Sequence, residues 1–159
     1  MNTFLTSRSY KETAQHLDSK RLQKQRVECI QIYNCVIGQR LDIITDEIKG
    51  PAVGYMNHPA VRMWRSYPHA LLLYAWYISR ECDARGINDH RAVRFFFERR
   101  MDRHPFIVPH WWADASKRDR IIYTHRCNLI RKDVAHYRPL FPDITIDEAF
   151  RVDYEWPVT

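Results

Sequence analysis

The sequence predicts an all-α fold, a single domain over residues 1–159 built as a compact bundle of about four to six helices with irregular loops. Three observations support this. Apolar residues recur at helical spacing, Gly and Pro fall at the ends of those segments, and no alternating β pattern of useful length is present. Only 4 glycines and no low-complexity run are found, so no linker divides the chain.

The first helical region follows Ser9 and ends before Gly38. Ser9 and Glu12 have the spacing of a capping box, no Gly or Pro interrupts the segment before Gly38, and Asp18 can restart or kink the helix. The apolar residues that mark its buried stripe are Leu22, Cys29, Ile30, Tyr33, Val36 and Ile37.

The segment 41–56 contains three turn-forming residues and alternates only weakly, so we expect an irregular loop with at most a short helical piece. Helix-capping residues and prolines predict the helices that follow residue 56. The expected helices are 59–64 after Asn57-His58, 68 to about 85 before Gly86, 90 to about 101 capped by Asp89, and 115 to about 132 capped by Asp114 or Ser116. A short turn after Asp133 and a mixed tail from Phe141 complete the chain.

The charge balance favours a polyanionic partner. Lys and Arg total 25 against 19 for Asp and Glu, a net charge of +6, and cations that neutralise phosphates release counterions and strengthen binding. The same charge can serve only solubility, so the arrangement of the cations must decide. The most apolar stretch, 70–78, is far shorter than the roughly 20 residues that span a bilayer, so we expect no membrane segment.

Cysteine and histidine spacing predicts neither a disulfide framework nor a metal site. The four cysteines form no C-x-x-C pair, the histidines form no H-x₃-H pair, and a Gly-rich phosphate cradle is absent. No secretory leader is recognisable. We therefore expect a reduced, cytoplasmic protein without metal or cofactor. We also expect a monomer, although no sequence pattern determines the oligomeric state.

One face of the first long helix collects polar side chains. At 100° per residue, Asp18, Arg21, Gln25 and Glu28 fall on one stripe, and Arg26 lies between it and the apolar stripe. A carboxylate, two guanidiniums and an amide beside the core suit a cleft that binds phosphate and performs acid-base chemistry. A solvated face joined by ion pairs such as Asp18 to Arg21 is the alternative.

A second cluster lies at the end of the helix predicted over 115–132. Its side chains that can donate hydrogen bonds to phosphate oxygens are His125, Arg126, Asn128, Arg131 and Lys132. The last two cations also suit the helix dipole, and a single histidine is more often structural than catalytic. Trp111, Trp112 and Trp156 can stack on an extruded base, although core packing is the commoner role for any one tryptophan.

Longer motifs extend over nearly the whole chain. They are the opening run 1–5, Leu17-Asp18, the segment 21–28, the segment 57–64 (Asn-His-Pro-Ala-Val-Arg-Met-Trp), the segment 125–133 and Tyr137. Together they resemble the bacterial and phage pyrimidine-dimer DNA glycosylase-like family. The resemblance implies a DNA-repair or DNA-modification enzyme that acts at the N-glycosidic bond of a damaged or modified pyrimidine, with or without lyase activity. The nucleotide must be extruded, because its sugar carbon is unreachable in a stacked duplex.

The resemblance also implies a catalytic arrangement. In the distant phage endonuclease V relatives, an amino terminus exposed by methionine removal attacks the sugar and a helical glutamate supports it. Here Asn2 disfavours methionine removal, and Gln23 stands by count at the glutamate position, so the helical stripe favours Glu28. An α-amine with a pKa of about 7.7 to 8.0 is partly unprotonated at neutral pH. The nucleophile is then the Met1 amine, or a water that Glu28 activates.

The remaining roles follow from the same resemblance. Arg26 joins Met1 and Glu28 as a catalytic residue. The expected DNA contacts are Arg21, Lys24, Gln25, His58, Arg62, His125, Arg126, Asn128, Arg131 and Lys132. The alternatives are a non-catalytic DNA-binding protein of the same fold, which lost its chemistry at Gln23, and a transferase acting on a modified base in phage DNA.

Overall fold

The computed structural model describes residues 1–87 and 91–157, and helices dominate it. The elements are α1 Tyr10–His16, α2 Ser19–Ile37, β1 Gln39–Leu41, β2 Ile48–Pro51, α3 Pro59–Trp64, α4 Pro68–Ala84, α5 Arg91–Met101, α6 His110–Ala113, α7 Ala115–Lys132, α8 Val134–Tyr137 and α9 Ile146–Arg151. The helical prediction is confirmed. Its finer form is corrected, because the described residues hold nine helices and a two-stranded sheet. No described helix is long and apolar enough to cross a membrane.

The ends of α1 and α2 lie where the capping residues predict them. The Ser9 side chain accepts from the Glu12 amide, and the Asp18 carboxylate accepts from the Arg21 amide at 3.0 Å, so a new helix does begin at Asp18. Gly38 ends α2 with φ of 73°, a left-handed conformation that favours glycine. The capping box at Ser9 is incomplete, because the Glu12 carboxylate accepts from the Ser7 hydroxyl instead.

The later helices also begin at their predicted caps. His58 caps α3, its Nδ1 accepting from the Ala60 amide at 3.1 Å, and Pro68 begins α4. Asp114 caps α7 and Asp133 caps α8, each through its carboxylate. The predicted cap Asp89 lies outside the described residues. The turn-forming residues of this chain therefore locate most helix boundaries.

Two elements differ from the prediction. β1 and β2 pair antiparallel, with an irregularity between Arg40 and Leu41, in the region expected to be a loop. Strands of three and four residues are too short for an alternating pattern to stand out. The tail forms α9, whose complete capping box between Thr145 and Glu148 was a readable sequence signal.

The core lies between α2 and α4, with α1 and α5 packed on α4 and α9 packed on α7. Trp111 is buried in it, which agrees with a packing role. All four cysteines are buried and unpaired.

The first seven residues are not helical, yet residues 3–7 are buried. The Thr3 hydroxyl accepts from the indole of Trp64 at 2.9 Å, and the Leu5 amide donates to Nδ1 of His125 at 2.9 Å. Further along, the amides of residues 6 and 7 both donate to the hydroxyl of Thr13. A backbone held at so many points fixes the position of the amino terminus.

Arg85 joins the end of α4 to the junction of α1 and α2. Its guanidinium donates to the carbonyls of Leu17 at 2.6 Å, Gln15 at 2.9 Å and Ala14 at 3.4 Å. Helix C-termini leave such carbonyls without intrahelical partners. We expect Arg85→Ala to lower the free energy of unfolding by roughly 2 to 3 kcal/mol in urea denaturation, because several charge-assisted bonds are lost together.

The matched control is Arg99→Ala, at an exposed position on α5. It should change the free energy of unfolding by less than about 0.5 kcal/mol. Equal unfolding midpoints for the two variants would show that Arg85 does not hold the junction together.

Candidate active site

A cavity of about 440 Å³ opens between the start of the chain, the first half of α2, the end of α7 and the C-terminal tail. This volume is within the range of small-molecule sites. The lining residues are Met1, Asn2, Phe4, Lys20, Arg21, Lys24, Gln25, Glu28, Lys132 and Tyr154. The structure thus brings together six of the residues predicted for the site.

The Met1 amine and the Glu28 carboxylate meet in this cavity. The amine nitrogen lies 3.6 Å from Oε1 of Glu28, and the two side chains are only 4% and 8% exposed. Nζ of Lys24 lies 3.7 Å from the same oxygen, and Nε2 of Gln25 donates to the other carboxylate oxygen at 2.8 Å. Both oxygens of Glu28 therefore face nitrogen groups, one of which is the candidate nucleophile.

Gln25 positions this pair rather than reaching outward. Its side-chain oxygen accepts from the Phe4 amide at 3.0 Å and from the Tyr74 hydroxyl at 2.8 Å, while its nitrogen holds Glu28. With 1% exposure, Gln25 has its polar atoms engaged inside the protein. The expected direct contact between Gln25 and DNA is corrected to a role in joining the N-terminal segment to Glu28.

Arg21 fits both interpretations of the polar face of α2, because it forms an ion pair within the helix and also lines the cavity. It pairs with Asp18 at 2.5 Å, and it also lines the cavity and donates to the Lys132 carbonyl at 3.0 Å. Desolvation opposes ionisation of Asp18, but hydrogen bonds from Tyr137 and Arg21 prevail and lower the pKa of its carboxyl to about 2. This ionised pair ties the start of α2 to the end of α7.

The rim of the cavity is cationic. Lys20, Lys24 and Lys132 are exposed there beside Arg21, and Glu28 is the one acidic residue of the described lining. Lys20 was not predicted, although its spacing of four residues from Lys24 places both on one helix face. Such a cluster attracts phosphate groups.

His58 lies close to the amine and carboxylate without lining the cavity. Its pKa is lowered by burial first and by the Met1 ammonium second, whereas Glu28 acts in the opposite direction. Its ring packs edge-on against Trp156, with centroids 6.3 Å apart. His58 therefore stands within electrostatic reach of both the Met1 amine and the Glu28 carboxylate.

Three predicted cations lie away from the cavity. Arg26 is turned roughly 200° from Glu28 on α2 and lies near Cys82 of α4, so its catalytic role is corrected. Arg126 donates to the Thr6 carbonyl at 2.8 Å and lines a different pocket. Arg62 is exposed on α3 and lines a third, smaller pocket.

Two of the predicted DNA contacts at the end of α7, His125 and Asn128, are corrected by burial. His125 is 0% exposed and Asn128 is 4% exposed, with the Asn128 amide donating to the Thr124 carbonyl at 2.8 Å. Arg131 donates to the Asn128 side chain and lies 3.6 Å from Asp153. These residues support the N-terminal segment and the tail, and Lys132 alone among them reaches the cavity.

Sequence reasoning missed one wall of the site. Phe4 and Tyr154 pack with ring centroids 6.2 Å apart, and both line the cavity beside Asn2. The tail carrying Tyr154 is attached to α7 because the Glu155 amide donates to the Thr124 hydroxyl at 3.2 Å. Aromatic residues in an otherwise polar tail were the available signal. Within the described ranges, no group of His, Cys, Asp and Glu is arranged to hold a metal ion.

The structure thus places an amine beside a carboxylate, under a cationic rim that suits a polyanionic substrate. The chain belongs to the pyrimidine dimer DNA glycosylase family, whose sequence profile matches residues 1–95. Membership implies DNA as the substrate and a glycosylase-like function. Comparisons with curated proteins and with solved structures find no match. The match covers Met1, α2 and α3, whereas Lys132 and Tyr154 lie beyond it.

Proposed function

We propose that this protein cleaves the N-glycosidic bond of a damaged or modified pyrimidine in DNA, with the Met1 amine as nucleophile and Glu28 as the acid-base residue. The observation that carries the proposal is the 3.6 Å approach of the amine to the Glu28 carboxylate inside the cavity. The N-terminal segment that carries the amine is held in place by hydrogen bonds from the Phe4 amide to Gln25 and from the Leu5 amide to His125.

The chemistry balances with these groups alone. The unprotonated amine forms a bond to C1′ while the bond from C1′ to the pyrimidine nitrogen breaks, and the base leaves with the bonding electrons and takes up a proton. The attached nitrogen then loses a proton to Glu28, and the C1′–O4′ bond breaks as O4′ takes up a proton, which opens the sugar ring and gives a protonated imine. Removal of a proton from C2′ with departure of the 3′ phosphate would be the lyase step.

Glu28 fits the proton transfers of this sequence. Its Oε1 is the oxygen that approaches the amine, so it can accept the proton that the nitrogen loses. Gln25 holds the other oxygen in place. Lys20, Lys24 and Lys132 at the rim suit the phosphates on either side of the extruded nucleotide.

Borohydride trapping on duplexes that carry a thymine dimer or a modified thymine tests the proposal. We expect a covalent protein-DNA adduct, and peptide mapping should place it on the Met1 peptide of a chain whose intact mass confirms that methionine. The matched control is the same protein with its α-amine acetylated, which should bind the duplex but give no adduct.

Each other outcome identifies an alternative. An adduct on Lys24 would assign the imine to that side chain, and glycosidic cleavage without an adduct would indicate a water nucleophile. Binding without cleavage of any candidate substrate would contradict the enzyme proposal and favour the DNA-binding alternative. A mass change of the base without its release would indicate a transferase.

A further inference from the structure

The loop of residues 52–57, which joins β2 to α3, presents two large apolar side chains to solvent. Val53 is 73% exposed and Tyr55 is 66% exposed. They flank Gly54, so they project from a narrow tip. An aromatic and an aliphatic side chain this exposed gain nothing from the protein core, which raises the question of what they contact.

The backbone of the 52–57 loop is nevertheless well anchored. The Ala52 amide donates to the Gly38 carbonyl at 3.1 Å, and the Cys35 thiol donates to the Gly54 carbonyl at 3.6 Å. The His58 amide donates to the Tyr55 carbonyl at 2.9 Å. The loop is therefore a fixed support, and the exposure of Tyr55 does not result from a loose segment.

Tyr55 also has an unusual backbone conformation. Its φ is 54°, in the left-handed region that disfavours residues with a bulky side chain. The other non-glycine residue with positive φ in the described chain is Asp46, a residue type that tolerates this conformation in turns. Strain of this kind persists where the surrounding structure holds it, and it concentrates at functional sites.

The position of Tyr55 connects it to the candidate active site. Its ring packs edge-on against His58, with centroids 6.3 Å apart. His58 is the residue whose pKa responds to both the Met1 ammonium and Glu28. Tyr55 is thus linked through His58 to the amine and the carboxylate of the candidate active site.

We infer that Tyr55 is an aromatic wedge, which stacks into the duplex at the gap left when a nucleotide is extruded into the cavity. The inference rests on the proposed function, because it takes duplex DNA as the substrate. Unstacking a base costs energy, and an inserted side chain that stacks on the neighbouring base pairs offsets it. A wedge must be exposed, apolar and rigidly held, and Tyr55 meets all three conditions.

The other exposed aromatic side chains of the described residues, Phe95, Phe106 and Phe150, have neither a positive φ nor a ring contact with His58. Phe106 is 63% exposed but packs against His69 and lines a separate pocket with Tyr10 and Trp112. It therefore provides a matched control of similar size and exposure. Tyr55→Trp retains an aromatic face, whereas Tyr55→Gly removes the side chain and relieves the backbone strain.

The experiment measures base unstacking separately from cleavage. A duplex carrying the lesion opposite 2-aminopurine reports local unstacking as a rise in fluorescence when protein binds. We expect Tyr55→Ala and Tyr55→Gly to reduce that rise, Tyr55→Trp to restore it, and Phe106→Ala to leave it unchanged. Tyr55→Gly should not lower the melting temperature, which separates loss of the wedge from loss of the fold.

A second experiment measures the rate of glycosidic cleavage on two substrates. Tyr55→Ala should slow cleavage of a lesion in a fully paired duplex by about fivefold or more, yet hardly affect the same lesion in an unpaired bulge, where no stack has to be opened. Equal slowing on both substrates, or an unchanged fluorescence rise, would overturn the inference. If no substrate is cleaved but the fluorescence result holds, the proposed function fails and the wedge stands.

Discussion

Glu28→Gln is expected to lower the rate of glycosidic cleavage by about 10²- to 10⁴-fold, the usual contribution of a positioned acid-base residue. Glutamine keeps the size of the side chain and its contact with Gln25, but it cannot accept the proton of the Met1 amine. Binding to the damaged duplex should persist, because the cationic rim is unchanged. Single-turnover kinetics with a lesion-containing duplex, beside a binding titration, make the measurement.

Two further variants test whether the effect is specific to the carboxylate of Glu28. Glu47→Gln neutralises an exposed carboxylate of the hairpin, where Glu47 pairs with Lys49, and should leave the rate unchanged. Gln23→Glu, added to Glu28→Gln, restores a carboxylate at the position that matches the phage relatives by count. Gln23 donates to the Ser19 carbonyl of its own helix and does not line the cavity, so we expect no rescue. Recovery of activity in the double variant would return the catalytic role to position 23.

The second large effect is a loss of stability in mild acid caused by His125. Burial lowers the pKa of this imidazole from 6.5 to about 3. Its Nδ1 accepts from the Leu5 amide, so Nε2 carries the proton, and Nε2 is buried with no hydrogen-bond partner in the described chain. The rings of Phe4, Tyr154 and Trp156 surround it. A charged imidazole is unfavourable among these rings, and it cannot accept from Leu5.

The direction of this pH effect follows from the linkage between protonation of His125 and folding. Because the folded pKa of His125 lies below the unfolded value, its contribution to stability is complete above pH 6.5 and is lost as the pH falls towards 3. The slope approaches 1.4 kcal/mol per pH unit, so roughly 2 to 3 kcal/mol of unfolding free energy is lost by pH 4.5. Urea denaturation at a series of pH values measures this.

His125→Gln keeps an acceptor for the Leu5 amide and removes the titrating group. Whatever its stability at neutral pH, we expect a flatter decline between pH 6.5 and 4.5. The exposed His136 provides the control, since His136→Gln should leave the acid slope unchanged. Parallel slopes for wild type and His125→Gln would contradict the assignment. The effect of Asp18, with its pKa of about 2, belongs to lower pH and does not overlap most of this window.

Local sequence signals predicted a large part of this protein. Capping residues such as Asp18, Asp114 and Gly38 mark helix boundaries because their effects act within one turn of the chain. The helical period correctly grouped Arg21, Gln25 and Glu28 on one face of α2, and all three line the cavity. The fold class and the Glu28 side of the site could therefore be predicted from the sequence.

Only the tertiary structure determines which groups contact this polar face of α2. The Met1 amine reaches Glu28 because Leu5 binds His125, 120 positions along the chain, and no local period encodes that contact. The same packing buried His125, which the cation-rich segment had suggested as a DNA contact, and brought Tyr154 from the tail to the cavity wall. Spacing specifies which residues share a helix face, whereas contacts between distant segments determine which of those residues are buried and which remain exposed to a substrate.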